Sequence, residues 1–328
     1  MTDLLTFGET MVSVRTARPM RLGGDAHLSV AGSESNVAIG VARLGHDAAW
    51  LSAVGNDEPG RLIQRTLRAE NVDTTYLRFS DDSFTGFIAF DQPSHDITRV
   101  SYHRRGSAAS TLTPEETTEA ITALSPTLLH ITGITPALSD TARAATLAAA
   151  RTASAAGIQV SLDVNYRARL WSRSSAATAL REILPHIHTV FASDDELDLL
   201  TDATDPVAGL LQSVDTVVVT AGGKGAWSHT KPTPTSTPSE PTPVVPPFEV
   251  QTIHAPALPV TVVDSIGAGD AFVSGYLSAT LDNLSPEDRL TRATTSGAFC
   301  VTAYGDWESL PTREDLTLLT HTQGTALR

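Results

Sequence analysis

Four consecutive residues, Gly267-Ala268-Gly269-Asp270, have the types and spacing most suited to chemistry. The glycines let the backbone turn sharply and leave bare N–H groups facing whatever approaches. From Asp270 onward, Phe272, Val273, Tyr276 and Leu277 fall at helical spacing, so the turn opens a helix. The first N–H groups of a helix have no partner within it, which makes that end an anion site. A carboxylate at the mouth of an anion pocket is misplaced if its only task is to bind the anion. It makes sense as a base that takes a proton from a hydroxyl, while the N–H groups of Gly267 to Gly269 hold a transferring phosphate. The plain alternative is an ordinary strand, turn and helix whose first acid favours the helix dipole.

Other polar clusters stand at the ends of apolar runs. Ala31-Gly32-Ser33-Glu34-Ser35-Asn36 opens a helical pattern through Val37, Ile39, Val41, Ala42 and Leu44, stopped by Gly45; small residues before an Asn could be only a cap. Tyr102-His103-Arg104-Arg105-Gly106-Ser107-Ala108 ends a strand with a basic pair. That pair is either a solvated surface or a site for an anionic group, and arginine's planar fork suits a carboxylate. Asp163-Val164-Asn165-Tyr166-Arg167 ends the strand Ile158 to Leu162, where open α/β sheets bind ligands; a polar loop with a cap is the alternative. Asp194-Asp195-Glu196 follows the strand Val190 to Ser193 and is expected to start a helix. Ala221-Gly222-Gly223-Lys224-Gly225 follows the strand Thr216 to Thr220 and reads as a hairpin turn or a ligand loop. It is not a Walker loop, and no G-x-G-x-x-G follows a strand, so P-loop and dinucleotide readings fail.

The elements that must position these groups alternate between strand and helix. Strands are expected at Leu4 to Phe7, Met11 to Val14, Leu28 to Val30 and Trp50 to Val54, and a helix from the Gly55-to-Gly60 turn to about Glu70. Phe84 to Phe90 and Thr98 to His103 form a hairpin about a turn at Gln92 to Asp96. With the early strands it makes a small sheet, a lid that would exclude water from a phosphate-transfer site. His130 to Thr132 ends a further strand, Ser139 to Gly157 is an Ala-rich helix, and Trp171-Ser172 begins another. Val260 to Val263 is a β-branched run expected to be a buried strand. Pro286 to Ala303 and Pro311 to His321 are expected helices, and Gly305-Asp306 could be only a cap turn. Lys231 to Pro247 is a Pro/Thr/Ser tract, read as an exposed insertion between strands at residues 231–247.

The chain has 328 residues, 41% of them hydrophobic, and a net charge of −14, which disfavours nucleic acid or an anionic membrane as partner. An anionic substrate would then depend on individual arginines. Cys300 is the only cysteine and sits in an apolar run, so no disulfide framework is expected and the residue reads as core. The first residues read as a strand rather than a signal peptide, no segment has the roughly 20 apolar residues that span a bilayer, and a cytoplasmic location is expected.

Asp264-Ser265-x-Gly267-Ala268-Gly269-Asp270-Ala271-Phe272 resembles the C-terminal signature of the ribokinase-like (PfkB) sugar kinases, and the resemblance extends over nearly the whole chain. It implies an α/β fold, a three-layer sandwich with a central, mostly parallel sheet and a small β-sheet lid. The implied layout is a single domain over residues 1–328, with lid strands within about 9–35 and 84–104. In that family the aspartate is the catalytic base and the glycine turn the anion hole. A Gly-Gly-x-x-x-Asn element holds sugar hydroxyls, which implies contacts at Gly32, Ser33 and Asn36, with Ala31 where the first glycine is usual. The resemblance implies ATP and Mg2+ as cofactors and leaves room for a monovalent cation. Asn165, Ser193, Thr220, Gly222, Lys224, Gly225, Gly267 and Gly269 would face the nucleotide, and Glu196 would act on the metal indirectly.

Several segments are similar to one branch, the 2-keto-3-deoxygluconate kinases: Tyr102-x-Arg104-x-Gly106-Ser107-Ala108, Gly133-Ile134-Thr135-Pro136-Ala137-Leu138-Ser139, Leu162 to Arg167 with Leu170-Trp171, and Gly305-Asp306. That similarity implies a sugar-acid substrate bound by Tyr102, Arg104, Ile134 and Arg167, with Asp306 holding a hydroxyl. Ile88, where the branch often has an aromatic residue, and His103, in place of a second Tyr, depart from it. The alternatives are a fructokinase- or ribokinase-type enzyme acting on a neutral sugar or nucleoside, or a non-catalytic sugar-acid-binding protein. By the same resemblance the chain would pair with its own copy through the lid.

Overall fold

Strands that are apolar on both sides fit only a sheet with helices on each face, and the chain builds one. The computed structural model describes residues 2–94, 97–231 and 250–320. The first part of the chain forms β1 (Leu4–Phe7), β2 (Met11–Arg15), β3 (His27–Ala31), helix α1 (Ser33–Arg43), β4 (Ala48–Gly55), α2 (Glu58–Ala69), β5 (Leu77–Ser80), β6 (Phe87–Ser94) and β7 (Ile97–His103). The middle forms α3 (Pro114–Leu124), β8 (Leu128–Thr132), α4 (Asp140–Ala155), β9 (Gln159–Asp163), α5 (Arg173–Ile183), β10 (Thr189–Ser193), α6 (Pro206–Leu210) and β11 (Thr216–Thr220). The last part forms β12 (Ala226–Thr230), β13 (Gln251–Ala255), α7 (Ala268–Leu281) and α8 (Pro286–Cys300).

Nine strands run in the order β13-β12-β11-β10-β9-β8-β1-β4-β5, parallel except for the two antiparallel edge pairings of β12 and β13. Side chains alternate across the sheet. Leu5, Leu129 and Val160 pack beneath α3, α4 and α5, whereas Leu4, Trp50 and Phe191 pack beneath α1, α2, α7 and α8. This is the ribokinase-like three-layer α/β arrangement. A second sheet, β3-β2-β6-β7, uses strands within residues 9–35 and 84–104. The sequence order reverses between β1 and β8, and ligands of open α/β sheets bind at such a switch, beyond the C-terminal strand ends.

Five expectations change. Strand β6 starts at Phe87 and runs through Gln92 to Ser94, residues expected in the hairpin turn, with Ser94 still paired to Ile97. Val260 to Val263 is no strand: Val262 and Val263 are 64% and 41% exposed, and the Val263 N–H donates to the Val301 carbonyl at the end of α8. The large sheet already ends at β13, and Pro259 precedes the run, so it has no strand to join. Asp194 to Glu196 starts only a single 3-10 turn, Leu197–Leu199, because the Glu196 carboxylate folds back onto the Ser193 N–H at 2.9 Å. Helix α8 stops at Cys300, three residues early, its last carbonyls capped by the Val301 N–H. Toward the C-terminus a 3-10 turn, Asp315–Thr320, replaces the expected α-helix, its entry fixed by Asp315 accepting from Thr312; His321 lies outside the described residues. The tract from 232 to 247, and His95-Asp96 of the expected hairpin turn, also lie outside them. Thr230 pairs directly with Gln251 across the strands that flank the tract.

Candidate active site

Five parallel strands deliver polar residues to one edge of the sheet. In spatial order these are Thr220 (β11), Ser193 (β10), Asp163 (β9), Thr132 (β8) and the Gly8-Glu9 step after β1. Helix α7 brings Asp270 to the same edge. Gly267 precedes α7 with φ +77°, a left-handed conformation that L side chains rarely adopt, and a Cβ there would overlap the Asp306 backbone. Glycine is therefore required twice at one position. Ala268, Gly269 and Asp270 are the first three residues of the helix, with N–H groups that no intrahelical carbonyl can satisfy.

Asp270 is buried, and its carboxylate accepts hydrogen bonds from Ser33 Oγ at 2.7 Å and Asn36 Nδ2 at 2.8 Å. Close packing one turn further along sets this contact. A Cβ on Gly40 would overlap the Ser274 side chain, so α1 and α7 approach nearly backbone to side chain there. Asn36 and Asp270 each lie four residues, about one turn, earlier on the same faces. Asn165 extends the network. Its backbone is left-handed, with φ +39°, and its amide donates to Ser33 Oγ at 3.0 Å and to Asp163 Oδ2 at 3.3 Å. Each carboxylate oxygen has two lone pairs, so Asp270 can still accept a proton from a ligand hydroxyl.

Negative charge concentrates here. Burial is the main cause that raises the Asp270 carboxyl above its ordinary range, opposed by the bonds from Ser33 and Asn36 and by the charge of Arg167. Burial, then Glu196 and Asp270, push Asp163 well up. Burial, then Asp270 and Glu308, push Asp306 up to about 7. Glu196 spends its oxygens on the Tyr166 and Ser193 N–H groups and on the Ser193 hydroxyl. Among the described residues Asp163, Glu196 and Asp270 form no ion pair, and no three His, Cys, Asp or Glu side chains converge as a metal cage. A cluster of unpaired carboxylates beside an open helix N-terminus fits a cation that arrives on phosphate oxygens and is held partly through water.

The expected residues divide into two groups. Gly32, Ser33, Asn36, Asn165 and Asp270 converge, and the Gly267 turn lies against Asp306. On the lid, Tyr102 and Arg104 lie on the same side, with the guanidinium carbon 5.8 Å from the ring. Arg104 is buried and its Nε donates to Glu9, which also accepts from the Ser107 hydroxyl. Arg167 is exposed, and its charge opposes the rise at Asp163 and Asp270. Ile134 is buried beside Thr132, and its N–H donates to the Thr132 hydroxyl. The loop Gly222–Lys224 is the turn of the β11–β12 hairpin. Gly225 serves packing there, since a Cβ would overlap the Ala255 carbonyl, whereas Gly222 and Gly223 face open space.

The departures have local reasons. Ile88 packs with Met11, Ala31 and Phe90 in a small apolar cluster that touches Ile266 of the glycine turn, so Ala31 supplies a packing methyl. His103 lies on the other face of β7 from Tyr102, against Phe87 at 5.7 Å between rings, away from Arg104. Sequence reasoning passed over Glu9, Asp163 and Arg15 as functional residues. Asp163 had a visible signal, its place at a strand end two residues before Asn165. The partners of Glu9 and Arg15 lie 95 and 249 residues away, beyond any local pattern.

A cavity of about 800 Å3 opens beneath the lid, between Ser13, Arg15, His27 and Phe90 on one side and Tyr304 and Asp306 on the other. Among the described residues no helix is long and apolar enough to cross a membrane.

A model of the pfkB family of carbohydrate kinases matches residues 1–313. A 2-dehydro-3-deoxygalactonokinase of Haloferax volcanii is 34% identical over 93% of this chain and 92% of its own. A 2-dehydro-3-deoxygluconokinase of Bacillus subtilis is 33% identical over 96% and 94%. A fructokinase of Klebsiella pneumoniae is 32% identical over 87% and 90%. Among solved structures, a PfkB protein of a Polaromonas species superposes with a TM-score of 0.80 at 30% identity, over 97% of this chain and 99% of that one. An Escherichia coli structure in complex with ATP and Mg2+ superposes at 0.84 and 22% identity, over 98% and 99%.

Proposed function

The chain belongs to the pfkB family of carbohydrate kinases, and we propose that it transfers the γ-phosphoryl group of ATP to the terminal hydroxyl of 2-keto-3-deoxygluconate, giving the 6-phosphate. The observation that carries the transfer is Asp270, a buried carboxylate in the first turn of α7 behind a glycine turn that only glycine can make. Asp270 takes the hydroxyl proton as the sugar oxygen bonds to the γ-phosphorus and the bond to ADP breaks. Ser33 and Asn36 orient the carboxylate, and the N–H groups at Gly267 to Gly269 receive the charge on the transferring phosphate. A bound magnesium ion would neutralise the β- and γ-phosphate oxygens, with Glu196 acting on it through water. Ser193, Thr220, Gly222 and Lys224 lie on the side of the edge that would take the rest of the nucleotide.

The sugar-acid reading draws support from Arg104 and Arg167, which an uncharged hexose does not need, and from the two relatives that act on 2-dehydro-3-deoxy sugar acids. Glu9 holds Arg104 by Nε alone, and its terminal amino groups have no hydrogen-bond partner among the described residues. They present the edge that binds a carboxylate in parallel. A fructokinase-type activity is the second reading, favoured by a fructokinase relative of similar identity.

A coupled ADP-release assay with ATP and magnesium separates the two. Its substrates are 2-keto-3-deoxygluconate, its galacto epimer, fructose and ribose. Turnover is expected with the acid sugars, and Asp270→Asn should lower it by about 10²–10⁴-fold. Arg104→Ala should raise KM for acid sugars alone. An equal rise for every sugar, or turnover of neutral sugars only, would discard the substrate and keep the kinase. No turnover with any sugar would point to a binding protein.

A further inference from the structure

The lid touches the body through a few polar contacts, and one of them lands on the anion-hole turn itself. Ser29 Oγ donates to Glu308, the Trp307 indole to the Val30 carbonyl, and Arg169 to the Val100 carbonyl. These hold the lid to loops of the body. Arg15, on lid strand β2, instead pairs with Asp264 Oδ2 at 3.0 Å. The other Asp264 oxygen accepts the Ile266 N–H at 3.2 Å, which closes the bend leading into Gly267. One carboxylate thus has one oxygen on the lid's cation and the other on the turn's backbone. The Arg15 guanidinium lies 4.6 Å from the Phe90 ring centre and 6.0 Å from that of Tyr304, which limits its reach to Asp264. The pair is mostly buried, with side chains 20% and 11% exposed. Ile266 adds an apolar contact to the same lid face, against the cluster of Met11, Ile88 and Phe90.

We propose that Arg15 is a positioning residue that couples the lid to the anion hole: through Asp264 it orders the Ile266-to-Gly269 turn for the γ-phosphate when the lid is seated on the sugar. The proposal rests on the sugar-kinase reading but not on which sugar is the substrate. Seating the lid and ordering the turn become one event, so sugar and nucleotide favour each other's binding. By linkage the effect is reciprocal. A turn ordered only under a seated lid also keeps ATP from being held for attack by water when no sugar is present.

The test is the dissociation constant of a non-hydrolysable ATP analogue with magnesium, with and without a saturating sugar that the assay above shows to be turned over. In the parent chain the sugar should tighten the analogue by about five-fold or more, the lower end of ordinary coupling. In Arg15→Gln this should fall below about two-fold, and Arg15→Lys should restore part of it. Asp264→Asn keeps an oxygen for Ile266 but removes the charge, and should lose the coupling to the same extent. The double variant should lose no more than either single one. This second route holds if Arg15→Gln fails to fold. Full coupling in both single variants overturns the proposal, as does a parent chain with no coupling. Weaker sugar binding in Arg15→Gln with coupling intact also overturns it, making Arg15 a sugar ligand. Failure of the sugar-acid reading alone would show in which sugar is turned over, and would leave these outcomes as they stand.

Discussion

Two glycines two residues apart should respond in opposite ways to the same substitution. At Gly267 an added Cβ would lie 2.8 Å from the Asp306 carbonyl carbon and 2.9 Å from its Cα. Non-bonded carbons sit at about 3.5–4.0 Å, so backbone must move by roughly 0.7 Å or more. The φ of +77° adds a conformational cost of about 1–2 kcal/mol for any residue with a Cβ. Gly267→Ala should therefore lose stability, and misplacement of the turn by this amount should cost about 10²-fold in kcat. At Gly269 the same Cβ meets nothing within 4 Å, and the position is inside α7. Alanine is better than glycine in a helix by about 1 kcal/mol, so Gly269→Ala should melt no earlier than the parent. On the proposed function that open space is where a phosphate approaches the N–H groups, so the methyl should weaken ATP binding or slow transfer by at least about ten-fold, the effect of roughly 1.4 kcal/mol. Thermal unfolding and steady-state kinetics on both variants decide it. A Gly269→Ala chain with parental KM for ATP and parental kcat would refute the anion-hole assignment. A stable, active Gly267→Ala chain would refute the steric argument.

Asp306 gives a pH signature. Its carboxyl is pushed up to about 7 by burial and by neighbouring carboxylates, so its folded value lies above its unfolded one. Stability from this group is present at low pH and lost as pH rises toward 7, at about 1.36 kcal/mol per unit. Denaturant unfolding at pH 5 and pH 8 should show Asp306→Asn spared about 2–3 kcal/mol of the loss the parent suffers; equal losses would place the carboxyl at an ordinary value. The lid carries the surface by which we expect two copies to pair: Leu28 and Ile97 are 61% and 58% exposed. Light scattering should find a dimer that Leu28→Glu dissociates, and a monomeric parent chain would remove that expectation.

What was legible in the sequence was whatever a single segment determines alone. The glycine turn needs only its own residues to announce a sharp backbone and open N–H groups, and α7 begins where the apolar spacing begins. The Ala-rich helix expected from Ser139 likewise starts there, with Ser139 as the cap of α4. Val260 to Val263 misled because β-branching describes a residue's fitness for a strand, not whether a neighbouring strand exists to pair with it. Asp194 to Glu196 misled for a related reason, since acids that suit a helix start also suit a backbone that folds back onto Glu196.

The larger omission concerns charge. Read along the chain, Arg104 looks like a free cation waiting for an anionic ligand, but in the fold Glu9 takes its Nε and leaves the pair close to neutral. On the sugar-acid reading, carboxylate recognition then cannot rest on net charge at Arg104. It must rest on the geometry of the remaining guanidinium edge, with the exposed Arg167 as a second cation beside Asp163 and Asp270. The same logic applies across the site. On the proposed function, Asp163, Glu196, Asp270 and Asp306 gather where polyanions bind, which like charges would repel unless each is protonated, hydrogen-bonded or matched by a cation. Asp270 has Ser33 and Asn36, Glu196 has two backbone N–H groups, and Asp306 titrates near neutrality. Asp163 has the Asn165 donors and the nearby Arg167 charge but no ion pair, and burial pushes it well up. An arriving cation would oppose that rise and favour its charged form, a role the sequence showed only as membership of the polar cluster Asp163 to Arg167.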